Sequence, residues 1–320
     1  MWSYFRWVLL VLAILLAVML GRTLMMPAGH SSSSEAVSVP FDEARIVRVM
    51  SESIQFQTVS TGDYATQDMR PFADFMAWLA REYASVYAAL SVEVIADYTL
   101  LFTWQGRDAS LAPILLTAHY DVVPVVPGSE VDWVHPPFAG VIDDGYVWGR
   151  GALDDKSAMI SMLEAARQLL DEGFQPQRTV YFSFGHDEEV GGSIGAAGVT
   201  ALLKSRGVQL AWSLDEGSFV TQGIVPGAQQ PVALINVAEK GSVTFDLTAT
   251  GPSGHSSMPA KELAIDSLAQ ALVKLNQNPV PGALDGMAAE MMEGIAREGS
   301  FGLRTARTTD GGGMSLLFGI

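Results

Sequence analysis

The chain has 320 residues, 49% of them hydrophobic and 17% charged, so it holds enough apolar side chains for one large or two ordinary domains and is not disordered throughout. Its formal net charge of −16 repels phosphate backbones, which argues against a nucleic-acid partner. The absence of cysteine excludes disulfides, thiolate metal sites and cysteine nucleophiles, and leaves any metal to His, Asp and Glu.

The N-terminus is read apart from the fold. Trp7 to Gly21 is an uncharged apolar run between Arg6 and Arg22, and extended to Met26 it reaches the ~20 residues of a spanning helix. With no A-x-A cleavage site ahead of the linker, residues 1–25 read as an uncleaved membrane anchor, the rival being a cleaved signal segment. Either reading carries the remainder across a membrane, as a single-pass protein with its folded part outside the cytoplasm or as a secreted one. Residues 26–40 are Ser-rich and read as a flexible linker.

From residue 41 the periodicity predicts helices through Ile46–Ile54 and Phe72–Tyr83, the second opened by Pro71. Strands follow over Ser91–Ala96, Tyr98–Trp104 and Pro113–Ala118. A helix is then expected over Asp155–Leu170, a strand over Thr179–Phe184, a helix over Ile194–Ser205 and a strand over Gln209–Leu214. Strands alternating with helices predict an α/β domain over 41–238, with a mixed sheet between helical layers. After Glu239 the pattern changes. Val243, Phe245, Leu247 and Ala249 alternate with polar residues as a half-exposed strand would, and Ile265 to Leu275 has helical spacing, so 239–320 reads as part of a smaller α+β domain.

Chemistry-bearing residues gather where buried strands end. In LLTAHYD, His119 and Asp121 sit two apart on an extended chain, facing the same way, so His119 can ligate a metal while Asp121 orients its imidazole. In YVWGRGALDDK a glycine turn leads to Asp154 and Asp155 at a helix start; capping accounts for Asp155, and Asp154 is placed to bridge two cations. RTVYFSFGHDEEVGG ends a strand in Asp187, Glu188 and Glu189. Of the two glutamates, one can ligate metal while the other serves as general base. LAWSLDEGSF supplies Asp215 and Glu216. Together these suit two divalent ions about 3.5–4 Å apart sharing a carboxylate. Of the five histidines, His30 lies in the linker, His135 in a Pro-rich loop, His186 beside the acidic run, and His255 in a Gly/Ser turn where it reads as an ordinary loop residue.

HYDVVP, WGRGALDDK, GHDEEVGG, LDEG and SGHSSMP, in this order, resemble the zinc metallopeptidases that include carboxypeptidase S, aminoacylase and succinyl-diaminopimelate desuccinylase, and most of all the branch of carboxypeptidase S and the N-fatty-acyl-amino-acid hydrolases. The likeness runs from about Phe41 to Asn276. It implies a phosphorylase/hydrolase-like catalytic domain over 41–238, a lid and dimerisation domain over 239–320, and two Zn2+ ions per site. It also implies that His119 binds one zinc, Asp154 bridges, Glu189 binds the other, and either Asp215 or Glu216 adds a ligand. Asp121 would stand behind His119, Glu188 would be the general base, and His255 would meet the oxyanion, in many relatives from the partner subunit of a dimer. The implied reaction is hydrolysis of a peptide or N-acyl amino acid beside a free carboxylate. In such relatives the chain returns from the lid to supply a last zinc-binding histidine. None follows His255 here, so this chain is expected to stop inside the lid, which raises the alternative of an inactive, membrane-tethered binding protein.

Overall fold

The structure is a computed structural model describing residues 2–25, 39–217, 219–225, 231–237, 241, 243–280, 282, 286–299 and 305. Most of the expected linker (26–38), Glu239 at the expected boundary and the glycine-rich tail lie outside the described residues. The chain forms two compact units, Ala36–Glu216 and a second made of Met1–Glu35 with Gly217–Ile320.

In the first unit, α2 (Glu43–Ile54), α3 (Arg70–Glu82) and α4 (Ala84–Ala89) follow the helix α1 (Trp2–Met25) of the second. Asp42 caps α2 by accepting the amide of Arg45 at 3.0 Å, and Pro71 occupies the first turn of α3, where a missing N–H costs nothing. Phe72, Phe75, Trp78 and Leu79 form the buried stripe of α3, each worth about 1.5–3 kcal/mol of burial. Then come β1 (Ser91–Ile95), β2 (Thr99–Trp104), β3 (Ile114–His119), a small hairpin of β4 (Val141–Asp143) and β5 (Tyr146–Trp148), α5 (Lys156–Asp171), β6 (Val180–Gly185), α6 (Gly195–Ser205) and β7 (Trp212–Leu214). Gly173, at φ 73°, ends α5 by letting Phe174 donate back to the Leu169 carbonyl at 2.8 Å.

The main sheet has the order β1-β2-β6-β3-β7 and is mixed: β1, β2 and β6 pair antiparallel, whereas β6, β3 and β7 run parallel. Alternate residues of β2 serve opposite faces. Leu100, Phe102 and Trp104 join the large core beneath α2, α3, α4 and α5, and Leu101 packs with Val199 and Leu203 of α6 on the other side. The expected mixed sheet flanked by helices is therefore present.

In the second unit, Tyr4–Met25 within α1 is long and apolar enough to cross a membrane, a property that a signal sequence shares. A two-residue pair, β8 (Val220–Thr221) with β9 (Val232–Ala233), precedes α7 (Ala264–Gln277) and α8 (Gly286–Glu298). The helix expected at Ile265–Leu275 is α7. The alternating run at 243–250 is not a strand: its described residues pair with no neighbour, and Val243 and Phe245 stand exposed. Alternation marks a strand only where a second strand takes up the backbone N–H and C=O groups, and none does so among the described residues.

Candidate metal centre

The parallel trio β6, β3 and β7 fixes which residues meet. Their registers set His119 opposite Gly185 and Leu116 opposite both Phe182 and Leu214, so the segments following all three strands emerge at one edge of the sheet. α/β folds place their sites at that carboxyl edge. The 149–155 turn delivers Asp154 there. Gly151 adopts φ 83°, and a Cβ on it would fall 2.7 Å from Val122 Cγ1, so this turn requires glycine.

His119 is the centre of the arrangement. Its Nε2 lies 2.9 Å from Asp154 Oδ1, 3.0 Å from Glu216 Oε2 and 3.8 Å from Glu188 Oε2. Its Nδ1 faces the Asp121 carbonyl at 3.0 Å and the Asp121 carboxylate at 3.3 Å. Asp121 is fully buried; its Oδ1 accepts the Glu188 amide at 3.2 Å, and its Oδ2 accepts the Glu189 amide at 3.1 Å and the Ser60 hydroxyl at 2.7 Å. The Glu189 carboxylate accepts the Val123 amide at 3.3 Å.

Burial alone would lower the imidazole's pKa, but the hydrogen bond with Asp121 and the charges of Asp121, Glu216 and Glu188 outweigh it and hold His119 up at about 10. The carboxyls of Glu188, Glu189 and Glu216 are all pushed above their ordinary range, by burial first and then by nearby negative charge, against the pull of His119: Glu216, Asp121 and Glu189 act on Glu188, Asp154 and Asp121 on Glu189, and Asp154 and Asp215 on Glu216. Asp155, almost fully buried, is pushed up to about 7, again by burial first. Crowded acids of this kind call for a cation. One imidazole nitrogen and two carboxylate oxygens, from His119, Asp154 and Glu216, lie within 4.8 Å of one another, a donor set that fits a divalent metal such as zinc.

Several expected roles divide on the structure. Of the LDEG acids, Glu216 turns to His119, whereas Asp215 accepts the Thr117 hydroxyl and the Glu216 amide. Asp187 leaves the acidic group and is wholly buried, accepting the Ile194 amide at 2.9 Å and the Gly195 amide at 3.0 Å where α6 begins. Asp155 occupies the N-cap position of α5 but makes no capping bond, and its buried Oδ2 has no partner, so the capping expected of it is not made. His186 is buried on the Thr99 hydroxyl at 2.6 Å among Tyr64, Phe72 and Tyr98. His255 belongs to the second unit, exposed and bonded to Ser257.

Two participants were not foreseen. Ser60 gives no sequence signal, being one of three hydroxyl residues, with Thr58 and Thr61, on an irregular segment. Lys156 does: it shares the stripe of Met159, Ile160 and Leu163, and it is fully buried, donating to the carbonyls of Ser53 at 2.9 Å and Phe56 at 2.8 Å. A lysine on the apolar stripe of a helix marks a buried anchor for the chain crossing it.

The profile of peptidase family M20/M25/M40 matches residues 115–310. The chain is 40% identical over 241 residues to a probable carboxypeptidase S-like 2 of Dictyostelium discoideum, covering 74% of this chain and 46% of that one. It is likewise 40% identical over 263 residues to the N-fatty-acyl-amino acid synthase/hydrolase PM20D1 of Mus musculus, covering 81% and 52%. The chain thus spans about half the length of the curated relatives it matches. A solved M20 family metallo-carboxypeptidase, Sso-CP2 of Sulfolobus solfataricus, aligns at a TM-score of 0.45 and 20% identity over 56% of this chain and 38% of that one. The family match covers well over half of the sequence and includes every residue of the cluster around His119, so the chain belongs to peptidase family M20/M25/M40.

Proposed function

We propose that this chain carries the di-zinc centre of a hydrolase that cleaves the amide bond of a peptide or N-acyl amino acid next to a free carboxylate. The observation that carries the reading is the convergence of Asp154 and Glu216 on the Nε2 of a buried histidine, with Glu188 beside them. The names of the relatives, carboxypeptidase S-like and N-fatty-acyl-amino acid synthase/hydrolase, support the substrate class. His119 and Glu216 would hold one zinc and Glu189 the other, with Asp154 shared between them. When bound, the zinc pair supplies a Lewis acid that polarises the scissile carbonyl.

The chain's own residues do the rest. Glu188 is half exposed, and its carboxyl is already pushed upward by burial, which suits it to take a proton from the attacking water and return it to the leaving amine. Asp121 accepts from Nδ1 of His119 and so keeps Nε2 turned toward Asp154 and Glu216. His255 is assigned to the oxyanion, across a homodimer. Residues 1–25 serve as membrane anchor, 26–40 as linker, 41–238 as catalytic domain and 239–320 as lid. The test compares N-acyl amino acids and dipeptides with the same compounds carrying an amidated C-terminus, at fixed zinc. Cleavage restricted to the free carboxylates is the expected result. A zinc-loaded protein that cleaves neither group, or both equally, overturns the proposal.

A further inference from the structure

We propose that Ser60 is a positioning residue of this centre: its hydroxyl fixes the Asp121 carboxylate, and through it the turn that presents Glu188 and Glu189. The importance of that turn rests on the hydrolase reading above; the hydrogen bonds do not. Asp121 lies where three segments distant in sequence meet. Its Oδ2 takes the Ser60 hydroxyl at 2.7 Å and the Glu189 amide at 3.1 Å, and its Oδ1 takes the Glu188 amide at 3.2 Å and faces His119 Nδ1 at 3.3 Å. One carboxylate therefore sets both the metal-facing imidazole and the backbone of the acidic pair.

Ser60 is itself held in place. Val59 makes a parallel bridge with Val122, the Ser60 amide donates to the Val122 carbonyl at 3.0 Å, and the Val122 amide donates to the Thr58 carbonyl at 2.9 Å. A serine hydroxyl has one hydrogen to give. Its two acceptors within reach are Asp121 Oδ2 at 2.7 Å and the His186 carbonyl at 3.2 Å, and the shorter, charged one takes it. The hydroxyl is buried, so no water replaces it when it is removed, and the carboxylate then keeps only its amide and imidazole partners. Ser60 does not touch the reacting atoms; it acts through Asp121.

The test is hydrogen–deuterium exchange on the full-length, metal-free chain in detergent, following the peptide that spans 186–192. Ser60→Ala should speed exchange of the Glu188 and Glu189 amides by about tenfold or more, the loosening expected when a bond to a charged group is lost. Ser60→Cys, which keeps the side-chain shape but donates weakly, should do the same and guards against a packing defect in the alanine variant. Thr58→Val removes a neighbouring buried hydroxyl whose acceptor is the Tyr120 carbonyl, and should leave this peptide unchanged. Exchange within about twofold of the parent in both Ser60 variants, or equal acceleration by Thr58→Val, overturns the proposal. In a hydrolysis assay the same Ser60 variants should lose kcat with KM kept. Faster exchange with an unaltered kcat supports Ser60 as the anchor of the turn and counts instead against Glu188 as the proton acceptor.

Discussion

Zinc binding to this chain should expel a proton from His119, and the affinity should therefore climb with pH. Every polar contact of the two ring nitrogens is to an oxygen: the Asp121 carbonyl and carboxylate at Nδ1, and Asp154 and Glu216 at Nε2. Without metal both ring nitrogens must donate, which is the imidazolium form, and its pKa stands at about 10 against an ordinary value near 6.5. A metal needs Nε2 bare. At pH 7 the proton thus lowers the apparent affinity about a thousandfold below its intrinsic value, about 4 kcal/mol at 1.36 kcal/mol per unit. The sign follows from linkage. A raised histidine pKa stabilises the metal-free fold fully below about 6.5, and that contribution is lost as pH rises through about 10, so alkali weakens the metal-free state while favouring the metal-bound one. Between pH 6.5 and 8, competition against a chelator of known affinity should show zinc binding tightening about tenfold per pH unit. Calorimetry at pH 7 in two buffers of different ionisation enthalpy should count about one proton released per zinc at the His119 site, or more if the raised glutamates contribute. An affinity independent of pH over that window, or no proton release, would mean that zinc does not displace a proton from His119.

Three further outcomes are expected. His119→Ala should sharply reduce bound zinc, measured by elemental analysis, whereas His135→Ala should not, because His135 lies beside Asp143, outside the cluster. Glu188→Gln should abolish turnover with zinc nearly retained and Glu189→Gln should lose metal too; the opposite pattern would exchange their roles. Asp187→Ala should cost about 2–3 kcal/mol in urea denaturation, since it strands the buried Gly195 amide and the partly buried Ile194 amide at the head of α6, and a loss under about 1 kcal/mol would show that the start of α6 does not depend on it.

The sheet was legible because its strands are short apolar runs whose ends carry the acids. Val180–Gly185 and Ile114–His119 appear in the sequence almost as they stand in the structure. The site could be read only to the level of segments. Asp215 and Glu216 are adjacent, and sequence cannot say which one points inward; the Thr117 hydroxyl decides by taking Asp215. Asp187 looked like a third acid of the cluster until the amides of α6 claimed it. The β4–β5 hairpin had a signal that went unused, the Asp144-Gly145 pair, with φ of 49° and 79° as a two-residue turn of this hand requires. Ser60 could not have been found, because its value lies in a contact 61 positions away along the chain.

The three candidate ligands of the cluster are not equally secured. His119 ends a strand with neighbours on both flanks, and Asp154 leads directly into a sixteen-residue helix. Glu216 follows β7, three residues long, outermost in the sheet, and paired on one flank only among the described residues, with Trp212 and Leu214 about half exposed. Fraying begins at such margins. The first opening of this unit would therefore withdraw Glu216 while His119 and Asp154 stay in place, so metal would dissociate well before the body of the sheet comes apart. Trp212, two residues from where β7 ends, gives that early event an intrinsic fluorescent reporter.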